Sequence, residues 1–166
     1  MRKDVRDAGL PAKVDREARS EALALWLPKP GELVAERFLV EEVAGSGGMG
    51  TVFKARDLRA GGPVAIKVVS RSRHDAFERF AREAQLLSEL SHPAIVRYVA
   101  HGSTARGAQF LAMEWLDGDD LAGTLGRAPL SPTQSIALLR RVCEGTHLAH
   151  GRGIVHRDLK PSNLFV

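Results

Sequence analysis

The sequence predicts an α+β chain: a front half of antiparallel strands holding one helix, then a mainly helical back half. Three observations carry that prediction. Strand-forming stretches separated by glycine turns run from Phe38 to Val69. One amphipathic stretch, Asp75 to Leu90, follows them with helical periodicity. Two more strand-like stretches run up to Trp115, after which alternation stops and helix signals take over. With 166 residues, 44% of them hydrophobic, the chain is long enough to bury a core of its own.

Residues 1–31 read as a charged N-terminal extension that closes on Leu27-Pro28-Lys29-Pro30-Gly31. Val14, Ala18, Ala22 and Leu25 fall near helical spacing and predict a weak amphipathic helix there. From Met1 to Arg19 acidic residues are mixed among the basic ones and there is no apolar stretch, which is neither a secretory nor a transit pattern. No run of 18 apolar residues is present, so no membrane-spanning helix is expected. A single cysteine, Cys143, permits no internal disulfide and suits the reducing cytoplasm. Its helical setting predicts a small buried hydrophobe. Net charge is only +4, basic residues are dispersed and aromatics are 5%, which argues against a nucleic-acid-binding stripe.

The elements follow in order. Phe38-Leu39-Val40 and Val43 lead as a first strand into a glycine-rich turn, Gly45–Gly50. Thr51–Ala55 is a second strand, Arg59-Ala60-Gly61-Gly62-Pro63 a hairpin turn, and Val64–Val69 a third strand. In the Asp75–Leu90 helix, Phe80, Leu87 and Leu90 share one face, with Ala84 beside them, and Ser91-His92-Pro93 ends it. Strands near Ile95–Ala100 and Gln109–Trp115 make five in all. A short helix is expected over Ala122–Gly126. A longer one, Thr133–His150, has Ser131 as N-cap and Pro132 in its first position.

Gly45-Ser46-Gly47-Gly48-Met49-Gly50 is where phosphate chemistry is expected. Glycines let backbone N–H groups approach phosphate oxygens without a Cβ in the way. A flexible hairpin is the plain alternative. A dinucleotide-binding reading needs the glycines to open a helix, whereas Thr51-Val52-Phe53 favours a strand. Lys67 interrupts an apolar strand. Alternation puts Ala65, Lys67 and Val69 on one face and Val64, Ile66 and Val68 on the other. Glu83 lies on the apolar face of the helix, three residues after Phe80 and four before Leu87, with Glu78 and Glu89 as competitors. A lone buried charge is costly, so Lys67 and Glu83 are expected to pair.

Residues 156–163 read His156-Arg157-Asp158-Leu159-Lys160-Pro161-Ser162-Asn163. A carboxylate at Asp158 can orient a substrate hydroxyl or accept its proton. The amide oxygen of Asn163 can hold Mg²⁺, and Lys160 can offset charge on a transferring phosphoryl group. This octapeptide, the G-x-G-x-x-G-x-V of Gly45–Val52 and the Val64-Ala65-Ile66-Lys67 strand together resemble the eukaryotic-type Ser/Thr protein kinase family, and Gly47-Gly48-Met49-Gly50, Ser91-His92-Pro93-Ala94-Ile95-Val96 and His150-Gly151-Arg152-Gly153-Ile154-Val155 resemble its bacterial branch. The resemblance spans about Phe38 to Val166 and implies a protein-kinase-like fold. That is a five-stranded antiparallel N-lobe with one helix and a hinge (32–116), then part of a mainly helical C-lobe (117–166).

It also implies ATP and Mg²⁺ as cofactors and a protein Ser or Thr hydroxyl as acceptor. Asp158 and Lys160 then serve at the reacting groups, with Lys67 and Glu83 as the phosphate-holding ion pair. Met113 corresponds to the residue guarding the back of the cleft. Glu114, Trp115 and Leu116 form the hinge, whose backbone meets adenine. Val52, Ala65 and Phe165 enclose the ring. The D-F-G aspartate, the activation loop and A-P-E follow this point in the family, so a fragment is expected. A nucleotide-binding pseudokinase or interaction module is the alternative.

Overall fold

The computed structural model describes residues 26–47, 50–69, 80, 82 and 84–166. Six strands, β1 (Leu33–Val34), β2 (Phe38–Gly47), β3 (Gly50–Asp57), β4 (Gly62–Val69), β5 (Tyr98–Ser103) and β6 (Gln109–Glu114), form one antiparallel sheet of order β1-β2-β3-β4-β6-β5. The expected count was five; β1 is the addition. Two residues are too short to show alternation, and a tight turn creates the strand. Ala35 and Glu36 both take φ 52°, and the Arg37 N–H donates to the Val34 carbonyl at 3.2 Å, the arrangement of a type I′ hairpin turn.

Strand β5 also lies later than the expected Ile95–Ala100. His92 holds the chain in a turn: its Nδ1 accepts from the Ala94 N–H at 3.1 Å and its carbonyl from the Ile95 N–H at 2.9 Å. Extended pairing therefore begins only at Tyr98.

One sheet face carries the core: Val34, Phe38, Val40, Phe53, Ala55, Val64, Ile66, Val68, Phe110 and Ala112. The alternation of β4 holds, because Val64, Ile66 and Val68 are buried in this cluster while Lys67 and Val69 are only partly covered on the opposite face. Phe38 and Phe110 meet edge-to-face with centroids 5.9 Å apart and planes at 69°. Their strands lie three steps apart in the sheet, about 14 Å if it were flat. The sheet must therefore curl around its own core. Register shifts in β2, between Val40 and Glu42 and between Val43 and Gly45, bend that strand just ahead of the glycine-rich hairpin.

Helix α1 is described at 80, 82 and 84–88. Its Phe80 and Ala84 are buried with Leu111 of β6 on the second sheet face, and Val69, Leu87, Tyr98 and Met113 pack around them. Helices α2 (Leu121–Arg127) and α3 (Pro132–Gly151) follow, then a 3₁₀ turn at Pro161–Asn163. Both helices come within a residue or two of expectation. Ser131 makes a full capping box with Gln134: its hydroxyl accepts from the Gln134 N–H, and the Gln134 side chain accepts from the Ser131 N–H.

Cys143 is exposed, contrary to the expectation of burial. The inward position of α3 belongs to Gly145, where an added Cβ would meet the Ala94 carbonyl at 3.3 Å. A residue two places earlier stands about 200° around the helix and faces away.

The extension does not remain apart at its end. Pro28 is buried and Leu27 packs on the core. Arg106 straps this stretch down, donating to the Leu27 carbonyl at 2.6 Å and to Glu32 at 2.7 Å. The helix expected near Val14–Leu25 lies outside the described residues. Among the described residues, no helix is long and apolar enough to cross a membrane.

Candidate active site

The glycine-rich stretch is a strand hairpin rather than an open turn. Gly45 pairs with Val52, Ser46 with Thr51 and Gly47 with Gly50, and the Ser46 and Thr51 hydroxyls lie 3.2 Å apart across its base. Gly48 and Met49 at the tip lie outside the described residues. The glycines divide into two kinds. At Gly45 and Gly47 a Cβ would meet nothing within 4 Å, so their surface is open for another molecule to approach. At Gly50, φ is 123° and a Cβ would stand 2.3 Å from the Val68 carbonyl oxygen. Its lack of a side chain is required by the β3–β4 pairing itself.

Below this hairpin, cross-strand register sets two rows of side chains on the second sheet face. Val52, Lys67 and Leu111 form one row, and Lys54, Ala65 and Met113 the next. Val52 and Ala65 thus stand on neighbouring strands facing the same space, with Lys67 one step from Ala65. Met113 closes the back by packing toward Phe80 and Leu111. Glu83 lies outside the described residues, and with it the expected Lys67–Glu83 pair.

The segment expected to form the hinge is pinned at Glu114. Its N–H donates to the Arg97 carbonyl at 2.9 Å, and its carboxylate accepts from the Arg97 N–H at 2.6 Å. Trp115 follows with its indole N–H on Asp117 at 3.0 Å, and the Lys54 Nζ lies 5.1 Å from its ring centroid. Leu116 is partly buried beyond it.

Asp158 sits in a compact polar network. Lys160 Nζ is 2.9 Å from its Oδ2, and the Asn163 Nδ2 donates to both the Asp158 carbonyl (2.8 Å) and Oδ2 (3.2 Å). Lys160 first, then Asn163 and His156, hold the Asp158 carboxyl below the usual carboxylate range, outweighing the opposing effect of desolvation. It is therefore ionised at neutral pH. Because Nδ2 of Asn163 is spent on Asp158, Oδ1 is its atom for a metal ion. Arg157 takes φ 61°, unusual for a side chain this large, and turns the chain so that Asp158 follows the bend.

Backbone bonds tie this loop to residues 119–121. The Leu121 N–H donates to the Leu164 carbonyl at 2.7 Å and the Val166 N–H to the Asp119 carbonyl at 3.1 Å, so Phe165 bridges Asp120. Gly118, at φ 113°, lets the strands approach, since a Cβ there would stand 3.0 Å from the Val166 carbonyl oxygen.

Sequence reasoning missed the Lys54–Trp115 contact and the ion pair of Arg37 with the buried Asp57, at 2.6 Å. Strand alternation from Val52 would have put Lys54 on the cleft face. Asp57 carried no such signal, because its partner lies twenty residues away across a hairpin.

Comparisons with known proteins return consistent matches. A family model described as "Protein kinase domain" matches residues 38–166. The serine/threonine-protein kinase pkn2 of Myxococcus xanthus is 43% identical over 141 residues, covering 82% of this chain and 17% of that protein. The serine/threonine-protein kinase PknB of Mycobacterium tuberculosis is 37% identical over 142 residues, 80% of this chain and 22% of that protein. The crystal structure of the Mycobacterium tuberculosis PknI kinase domain superposes with a TM-score of 0.72 at 27% identity, covering 82% of this chain and 57% of that one. The chain thus spans about a fifth of the length of these two curated relatives.

Proposed function

Since this chain belongs to the protein kinase domain family, we propose that it carries the nucleotide cleft and catalytic loop of a cytoplasmic protein Ser/Thr kinase, transferring the terminal phosphoryl group of ATP to a protein hydroxyl. The observation that carries the proposal is the Asp158–Lys160–Asn163 network. It joins an ionised carboxylate, a cation and a side-chain amide within one short loop.

In this reading residues 32–116 are the nucleotide-binding lobe with its hinge, and 117–166 begin the substrate lobe. ATP·Mg²⁺ supplies the phosphoryl group and the metal's neutralising charge. The amides around Gly45 and Gly47, together with Lys67, hold phosphate oxygens, and Glu83 steadies Lys67. Val52, Ala65 and Phe165 enclose adenine, Met113 limits its depth, and the backbone of Glu114–Leu116 meets its edge. Asp158 orients the incoming Ser or Thr hydroxyl and receives its proton as the O–P bond forms. Lys160 balances charge on the phosphoryl group. Asn163 offers its amide oxygen to Mg²⁺.

The test is Asp158→Asn in the protein that contains this segment. Phosphate transfer to a protein acceptor is expected to disappear while ADP affinity stays within about two-fold, because the variant alters the reacting end of the cleft alone. Unchanged turnover sinks the assignment. Nucleotide binding by an already inactive parent would instead identify a pseudokinase.

A further inference from the structure

We propose that Lys54 and Trp115 form a cation–π clasp at the outer rim of the cleft, which makes Lys54 a positioning residue for the adenosine end of the nucleotide. The proposal rests on the nucleotide reading of the cleft given above.

Two lysines project from the second sheet face. Lys67 stands in the row of Val52, and Lys54 in the row of Ala65 and Met113. Successive rows on one face lie about 6.5 Å apart along a strand. The row of Lys67 is the nearer to Gly50 and the phosphate end. Lys54 stands at the hinge end, and its ammonium is over the Trp115 ring at 5.1 Å.

The indole is held from two directions. Asp117 accepts its N–H at 3.0 Å and Lys54 covers its face. One residue earlier, Arg97 fixes Glu114 through both backbone and side chain. The hinge backbone is thereby clamped by β5's approach on one side and by β3 on the other. An indole tethered at its face and its N–H fixes where the Trp115 Cα can stand, and so restrains the Trp115 and Leu116 backbone that the proposed purine edge meets. The two lysines thus divide the cleft: Lys67 serves the phosphates and Lys54 the hinge.

The test uses calorimetry on a Trp26→Phe parent, which leaves Trp115 as the sole indole of residues 1–166. The ligands are Mg·ADP, adenosine and Mg·tripolyphosphate. Lys54→Met is expected to weaken ADP and adenosine about three- to five-fold, the range a partly shielded cation–π contact supports. Tripolyphosphate affinity is expected to stay as in the parent, and Lys54→Arg to restore ADP binding. In the free protein, Lys54→Met must also shift the Trp115 emission. Trp115→Leu must weaken ADP too, and adding Lys54→Met to it must cost nothing more.

Equal ADP affinities in parent and Lys54→Met overturn the clasp alone. So do additive losses in the double variant, or a tripolyphosphate loss as large as the ADP loss, which would make Lys54 a phosphate contact. A parent that binds no ADP overturns the nucleotide reading and the clasp with it.

Discussion

Replacing Gly50 with alanine separates the glycine that strand pairing demands from those whose surface is open. Two costs arise at that position. The backbone sits at φ 123°, a region L side chains rarely adopt, which costs on the order of 1–3 kcal/mol. The new methyl would also stand 2.3 Å from the Val68 carbonyl oxygen and 3.2 Å from its carbon, and a backbone strand cannot rotate away as a side chain does. Forced repacking of that kind adds roughly 1–3 kcal/mol. The expected loss is therefore about 2–6 kcal/mol, a large part of the stability of an ordinary domain. Gly47→Ala is the control: nothing lies within 4 Å of its Cβ position and φ is ordinary, so its stability should change by less than about 1 kcal/mol. Urea unfolding followed by circular dichroism, with equal slopes required of all variants, measures both. In ADP titrations Gly47→Ala should lose affinity while keeping its fold. A Gly50→Ala protein within 1 kcal/mol of wild type would refute the claim that strand pairing demands this glycine.

Asp57→Asn removes the charge from a buried pair and should cost about 3 kcal/mol, the low end for such pairs because Arg37 keeps some solvent contact. Arg37, then the Arg59 and Ala60 amides, hold the folded Asp57 carboxyl well below its unfolded value. The pair's contribution is therefore complete above about pH 5 and shrinks as pH falls through the unfolded carboxylate's range, vanishing only once the lowered folded value is passed, so the gap between wild type and variant should narrow steadily below about pH 4 yet still be measurable at about pH 3. Ser131→Ala should destabilise by about 1 kcal/mol through loss of the capping box, read as a lower helical melting midpoint. Phe110→Ala, which removes the ring closing the curl against Phe38, should cost about 3–5 kcal/mol in denaturant titration. Glu36→Gly should stabilise by about 0.5–1 kcal/mol, because the turn already holds φ 52° there.

Legibility followed the range of each determining interaction. Strand β4 was readable because alternation alone decides which of Val64–Val69 face the core. Helix α3 was readable because Ser131 and Pro132 encode its start in two adjacent residues. Strand β1 was not, since it exists through a turn with two positive-φ residues that are neither glycine nor asparagine. The start of β5 depended on His92 capturing Ala94, a local side-chain bond that periodicity does not register. Among the candidate site residues, the loop from Asp158 to Asn163 was legible as a string because its partners are five residues apart or fewer. The Lys54–Trp115 contact was not, because it joins residues 61 positions apart through two strand pairings.

The bridge between Phe165 and Asp120 has a consequence for how freely this cleft can vary. The Leu121–Leu164 and Val166–Asp119 bonds are made by main-chain atoms, so the seat of the loop is indifferent to which side chains occupy 164–166. A lineage can therefore exchange the residue at 165, which we propose lies against adenine, without moving Asp158. The constraint falls elsewhere, on Gly118, where any side chain would press on the Val166 carbonyl. Mutational tolerance should accordingly be wide at Phe165 and narrow at Gly118, the reverse of what their sizes suggest.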